Sequence, residues 1–125
     1  MTATTGTGRC LCGAVTYRTT APLRGILYCH CTRCLRWNGH VVAATACDVA
    51  GLAVEGEGQL RWYEADDRRR GFCAGCGSHL FWQGADRTRI SIWAGTLDQP
   101  TGLHGIGHIH LESGGDYYER PDGAG

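Results

Sequence analysis

Gly8-Arg9-Cys10-Leu11-Cys12-Gly13 and Phe72-Cys73-Ala74-Gly75-Cys76-Gly77 are the stretches that decide how this chain folds. Each carries two closely spaced cysteines, and each closes on a glycine. A metal-binding knuckle turns backbone N–H groups toward its thiolate sulfurs, and a glycine after the last ligand permits the dihedrals this requires. Two such knuckles, about sixty residues apart, supply four thiolates in a tetrahedron around zinc. A complete thiolate shell leaves no open position, as in a structural site. Such a site clips a long loop and contributes on the order of 10 kcal/mol to folding.

Between the knuckles lies Cys29-His30-Cys31-Thr32-Arg33-Cys34, three thiols within six residues. A zinc ion with three protein ligands keeps a fourth position for water or substrate, the usual condition for catalysis. Zinc also keeps a coordinated thiol deprotonated near neutral pH, so a small-molecule thiol bound there becomes a nucleophile. The alternative is a closed, structural site with Cys47, His30 or His40 as fourth ligand. Cys47 sits in an apolar run, where a lone cysteine is more often a small core residue. Arg33, Arg36 and Trp37 flank the cluster: arginine suits carboxylates, and indole covers an apolar stem. The competing reading leaves the arginines solvated and packs Trp37 in the core.

The rest of the chain supports metal over disulfides. Its 125 residues fit one domain with a core of its own. Met1 to Arg9 lacks the apolar segment of a secretion signal, and the longest apolar run, Val41 to Val54, is interrupted by Asp48 and too short to cross a bilayer. We therefore expect a soluble, cytoplasmic protein with no membrane partner, and a reducing compartment disfavours disulfides. Twelve arginines balance twelve acids, with no lysine, so nothing draws the chain to nucleic acid, and Arg68-Arg69-Arg70 reads as a solvated edge. Redox exchange through Cys73-x-x-Cys76 is disfavoured because no βαβ pattern surrounds it.

Twenty glycines scattered between short apolar runs predict a mainly β domain of short strands and tight turns. Strands are predicted over Ala14–Thr20, Gly25–Cys29, His40–Ala46, Leu60–Glu64, Ser78–Gln83 and Arg89–Ala94, with a weaker candidate at Gly107–Glu112. The single helical turn is expected at Thr32–Trp37. The domain spans 8–121, with 1–7 and 122–125 as flexible termini.

With these residues in hand, the chain resembles the glutathione-dependent formaldehyde-activating enzyme family, which includes centromere protein V-like members. The likeness rests on an ordered set: Gly8-x-Cys10-x-Cys12-Gly13, Cys29-His30-Cys31-x-x-Cys34, Arg70-x-Phe72-Cys73-x-x-Cys76-Gly77, Gly95-Thr96-Leu97-Asp98 and His108-Ile109. The resemblance implies a β-tent-like fold of small twisted antiparallel sheets stapled by zinc. It implies two zinc ions, a structural one on Cys10, Cys12, Cys73 and Cys76 and an active-site one on Cys29, Cys31 and Cys34. The implied activity is that of a carbon–sulfur lyase or synthase, joining glutathione reversibly to formaldehyde as S-hydroxymethylglutathione in formaldehyde detoxification. His30, His40, His108 and His110 are the candidates for moving the proton, with His30 adjoining the ligands, while Arg33, Arg36 and Trp37 are candidate glutathione contacts. The chain departs from its relatives at Leu35-Arg36-Trp37-Asn38-Gly39 and at Ala65-Asp66-Asp67, where relatives often carry paired serines. The reading that competes with an enzyme is a non-catalytic zinc-binding interaction module on the same fold.

Overall fold

The computed structural model describes residues 5–121. The terminal stretches 1–4 and 122–125, expected to be flexible, lie outside the described residues, whereas Thr7 already belongs to the first strand. The architecture is mainly β, with ten strands, one α-helix and several 3-10 turns among the described residues. A small sheet joins β1 (Thr7–Arg9), β2 (Thr16–Thr19) and β5 (Leu52–Glu55) in the order β1-β2-β5, all antiparallel. A larger sheet of seven strands contains β3 (Ile26–Cys29), β4 (Val42–Asp48), β6 (Leu60–Ala65), β7 (Arg68–Cys73), β8 (His79–Gln83), β9 (Arg89–Trp93) and β10 (Gly105–Ile109). Its order is β10-β3-β4-β9-β8-β7-β6.

Every strand expected from sequence is present, with ends shifted by no more than three residues. β1, β5 and β7 were not expected. The first two are too short to show alternation, and Arg68-Arg69-Arg70-Gly71 in β7 hides its period behind like charges. One further correction concerns orientation. β10 runs parallel to β3 rather than antiparallel, because the chain crosses over after β9 instead of turning back in a hairpin.

The core lies between the two sheets. Val15 and Tyr17 from the small sheet's side meet Leu80, Phe81, Ile90 and Ile92 of the large one. Tyr17 and Phe81 pack edge to face at 5.4 Å between ring centroids. β8 buries Leu80 and Phe81 in succession, as a strand covered on both faces must. The buried amide of Gln83 is fully used: its oxygen accepts from Arg69 Nε at 2.7 Å, and its nitrogen donates to the carbonyls of Arg87 and Arg89.

The single helix, α1 (Thr32–Asn38), is too short to persist on propensity. Its ends hold it. Cys31 is the N-cap and its sulfur accepts from the Cys34 N–H at 3.3 Å, while Gly39 (φ 82°) closes the helix by donating to the Leu35 carbonyl.

Two glycines with the same dihedral should respond differently to alanine. A Cβ at Gly56 (φ +82°) would lie 1.9 Å from the Ala14 carbonyl oxygen, whereas one at Gly39 (φ +82°) meets nothing within 4 Å. Gly39→Ala should cost about 1 kcal/mol for the left-handed conformation alone. Gly56→Ala adds a backbone collision and should cost about 3 kcal/mol, read from urea unfolding midpoints.

Candidate metal centres and the cleft between them

Cys10 follows β1 and Cys73 ends β7, so the two strands deliver both knuckles to one corner of the core. Each knuckle is a tight turn. Gly13 donates to the Cys10 carbonyl at 3.2 Å and Gly77 to the Cys73 carbonyl at 2.7 Å. Both glycines take positive φ (82° and 79°), as the spacing anticipates. The four sulfurs of Cys10, Cys12, Cys73 and Cys76 lie within 4.8 Å of one another. Cys10 to Cys12 is 3.7 Å and Cys12 to Cys73 is 3.8 Å. With Zn–S bonds of about 2.3 Å, the edge of a tetrahedron is roughly 3.8 Å. A disulfide needs about 2.0 Å, and every cysteine is free.

The electrostatics ask for a cation. Cys76 is held down to about 5, first by the Ser78 hydroxyl and then by backbone N–H groups. The backbone at Ala14 favours the Cys12 thiolate, but the neighbouring thiols and desolvation outweigh it and push Cys12 up to about 11. One sulfur ionises at the expense of the next, and only a positive ion lets all four be thiolates together. Ser78 links the two knuckles: its oxygen lies 3.1 Å from the Cys76 sulfur and accepts the Leu11 N–H at 2.9 Å. Sequence reasoning passed over Ser78; its place two residues after a cysteine ligand is the only signal.

The second cluster stands where β3 runs into α1. Cys29 ends the strand, Cys31 caps the helix and Cys34 lies in its first turn, with all three sulfurs within 4.8 Å. Cys29 is held down to about 5, chiefly by the Cys34 thiol 3.1 Å away, and Cys34 is pushed up by Cys29 first and by burial second. That separation is closer than a tetrahedral edge, so an ion here would spread the pair slightly. Among the described residues no fourth histidine, cysteine or carboxylate joins the three. Cys47 is fully buried in the core, His40 bonds the Tyr117 hydroxyl, and both ring nitrogens of His30 are engaged by Tyr118 (2.7 Å) and His108 (3.0 Å). Both clusters suit metal binding, and their donors suit zinc.

Cys29, Cys31 and Cys34 open onto a cleft of about 590 Å³. Its apolar lining includes Trp37, Trp82 and Trp93 with Leu27 and Val42. Its charged lining is basic. Arg24, Arg33, Arg68 and Arg70 line the cleft, and no aspartate or glutamate does. Arg70 is 6% exposed, and among the described residues no carboxylate pairs with it. Its guanidinium stands 5.8 Å from the Trp37 ring. The arginine run is therefore no uniform solvated edge: Arg69 stacks over Trp62 at 3.9 Å and Arg70 turns into the cleft. Of the four candidate histidines only His110 lines the cleft. Arg33 and Trp37 line it too, and both also face a second groove of about 430 Å³ outside it, together with Arg36.

A model of the glutathione-dependent formaldehyde-activating enzyme family matches residues 5–113, which carry both cysteine clusters. The chain belongs to that family. Among solved structures it is similar to a Rhodobacter sphaeroides protein, at 23% identity and a TM-score of 0.65, over 82% of this chain and 98% of that one. This likeness supports the fold. No curated protein sequence matches the chain.

The two clusters of this family member should respond differently to serine. Cys73 is wholly buried and Cys34 lines the cleft. Cys73→Ser should abolish cooperative folding. Cys34→Ser should stay folded and carry one zinc fewer, measured by plasma mass spectrometry alongside thermal unfolding.

Proposed function

We propose that this protein is a cytoplasmic zinc enzyme that makes and breaks the carbon–sulfur bond of a thiol–aldehyde adduct such as S-hydroxymethylglutathione. The observation that carries this reading is the three-sulfur cluster with no fourth histidine, cysteine or carboxylate among the described residues, opening on a basic cleft without a carboxylate in its lining. A non-catalytic module would need a closed shell at both clusters, and among the described residues the second offers three donors. Cys10, Cys12, Cys73 and Cys76 would hold one zinc for the fold, and Cys29, Cys31 and Cys34 the other. At the second position zinc supplies a Lewis acid that keeps an incoming thiol ionised near neutral pH.

The chain's own residues do the rest. Arg70, with Arg24 and Arg68 nearby, receives a carboxylate of the thiol through charge-assisted hydrogen bonds. Because Arg70 lacks an acidic partner, it answers the ligand rather than a neighbour. The tryptophans exclude water from the reacting carbon. In the forward direction the sulfur forms its bond to the carbonyl carbon, the π pair moves to oxygen, and the proton that left the thiol is returned to that oxygen. His110 lines the same cleft, half-exposed and 3.6 Å from Glu112, and serves as the carrier of that proton. His30 and His108 instead brace each other. The donor set of reduced thiols fits a cytoplasmic setting.

Exchange NMR with formaldehyde and glutathione tests the reaction. Zinc-loaded protein should speed exchange between free and adduct forms, and a rate equal to buffer overturns the reading. Arg70→Met offers a second check. It removes a buried, unpaired charge, so stability should stay level or rise, while affinity for glutathione falls about tenfold or more.

A further inference from the structure

The groove outside the cleft is chemically unlike the cleft. It is lined by Arg33, Arg36, Trp37, Tyr63, Asp66 and Arg70, so it holds one carboxylate among three guanidinium groups. Trp37, Arg33, Thr32 and Arg70 line both spaces, so the two adjoin along these residues. Arg36 faces the groove alone and has no ion pair among the described residues.

Asp66 is placed there by the backbone. Ala65 pairs with Arg68 across β6 and β7, leaving Asp66 and Asp67 as a two-residue turn with φ of 55° and 62°. A primed hairpin turn needs positive φ at both positions, and aspartate tolerates it better than most residues. The Asp66 carboxylate meets Arg33 at 2.7 Å. That pair is exposed on both sides (52% and 65%) and stabilises the fold little. It does orient the carboxylate, which has further lone pairs free to accept.

Electrostatics then sorts the two ends of a peptide thiol. An ammonium group is disfavoured in the cleft beside Arg24, Arg68 and Arg70, which have no acidic partner among the described residues, whereas Arg33 is matched by Asp66; a lone carboxylate is welcome there. We propose that the outer groove is the subsite for an α-amino-acid end of the thiol, with Asp66 receiving its ammonium and Arg36 its carboxylate. This rests on the proposed reading of the cleft as a glutathione-type site. The simple carboxylate at the other end of the thiol goes inward to Arg70. Asp66 is thus the residue that distinguishes a zwitterionic thiol from a purely anionic one.

Calorimetric titration of zinc-loaded protein with S-methylglutathione and its N-acetyl derivative tests the assignment without requiring turnover. A groove that is merely basic binds the N-acetyl compound as tightly or more tightly, because acetylation adds net negative charge. The subsite with Asp66 predicts the reverse, with S-methylglutathione at least tenfold tighter. Asp66→Asn keeps a residue that tolerates the turn and should bring the ratio close to one by weakening S-methylglutathione alone. Arg36→Gln should weaken both ligands alike, since both retain the α-carboxylate. Equal or inverted affinities in the wild type, a ratio unchanged in Asp66→Asn, or no binding of either compound overturns the assignment. Should the tenfold preference stand while formaldehyde exchange is not accelerated, the reaction fails and the subsite survives. Accelerated exchange with a ratio of one sinks the subsite alone.

Discussion

Four sulfurs gathered from opposite parts of the chain, with Cys12 and Cys73 in contact 61 residues apart, are the constraint from which the rest of this structure follows. Their cluster stands where the exit of β1 meets the end of β7, at the corner where the small sheet rests on the large one. Cys10 and Cys73 are also members of the apolar core, so the same atoms that call for a cation are walled by Val15 and Leu80. Burying ionised sulfurs without a counter-charge is costly, and burying protonated ones forgoes the hydrogen bonds aimed at them by Val15 and Ser78. A bound ion resolves both problems, since it neutralises the thiolates and leaves each sulfur free to accept its N–H or hydroxyl donor.

That corner also sets the cleft. Arg70 sits on β7 three residues before Cys73, so the register that brings Cys73 to the knuckle turns Arg70 toward Trp37 and the second thiol cluster. The net charge of zero conceals this arrangement. Asp48 pairs with Arg89 and Glu64 with Arg87, both on the surface, and of the cleft arginines Arg33 alone meets an acid, Asp66, which lies outside the cleft lining. Whole-chain neutrality says nothing of a small anionic partner, for which local field matters more than net charge.

What could be read from sequence follows from how local each signal is. Cysteine spacing and the glycine after each pair are local, and both clusters assembled as their spacing suggests. Strands with clear alternation, such as Arg89–Trp93, or with apolar and aromatic enrichment, such as Ile26–Cys29, were legible for the same reason. The position of Arg70 was not, because three consecutive arginines look equivalent until a neighbouring strand and Trp62 distinguish them. Nor could spacing choose among the histidines. His30 adjoins two ligands in sequence, yet its ring is buried and spent on Tyr118 and His108. Position along the chain and position around the metal cluster are different things when a strand turns into a helix at the site.

The parallel pairing of β10 explains why His110, of all the histidines, reaches the cleft. Running alongside β3, β10 sets Ile109 opposite Cys29, and the His30 N–H donates to the Ile109 carbonyl at 3.0 Å. The next residue must therefore emerge level with the thiols. It does so with φ of 59°, a left-handed step that ends the strand and lets its ring face the cleft. An antiparallel β10 with the same pairing would carry residue 110 away along the other end of β3. The His30–His108–Tyr118 contacts hold β10 against β3, so the histidine beside the ligands, though not itself in the cleft, helps fix where the other one stands.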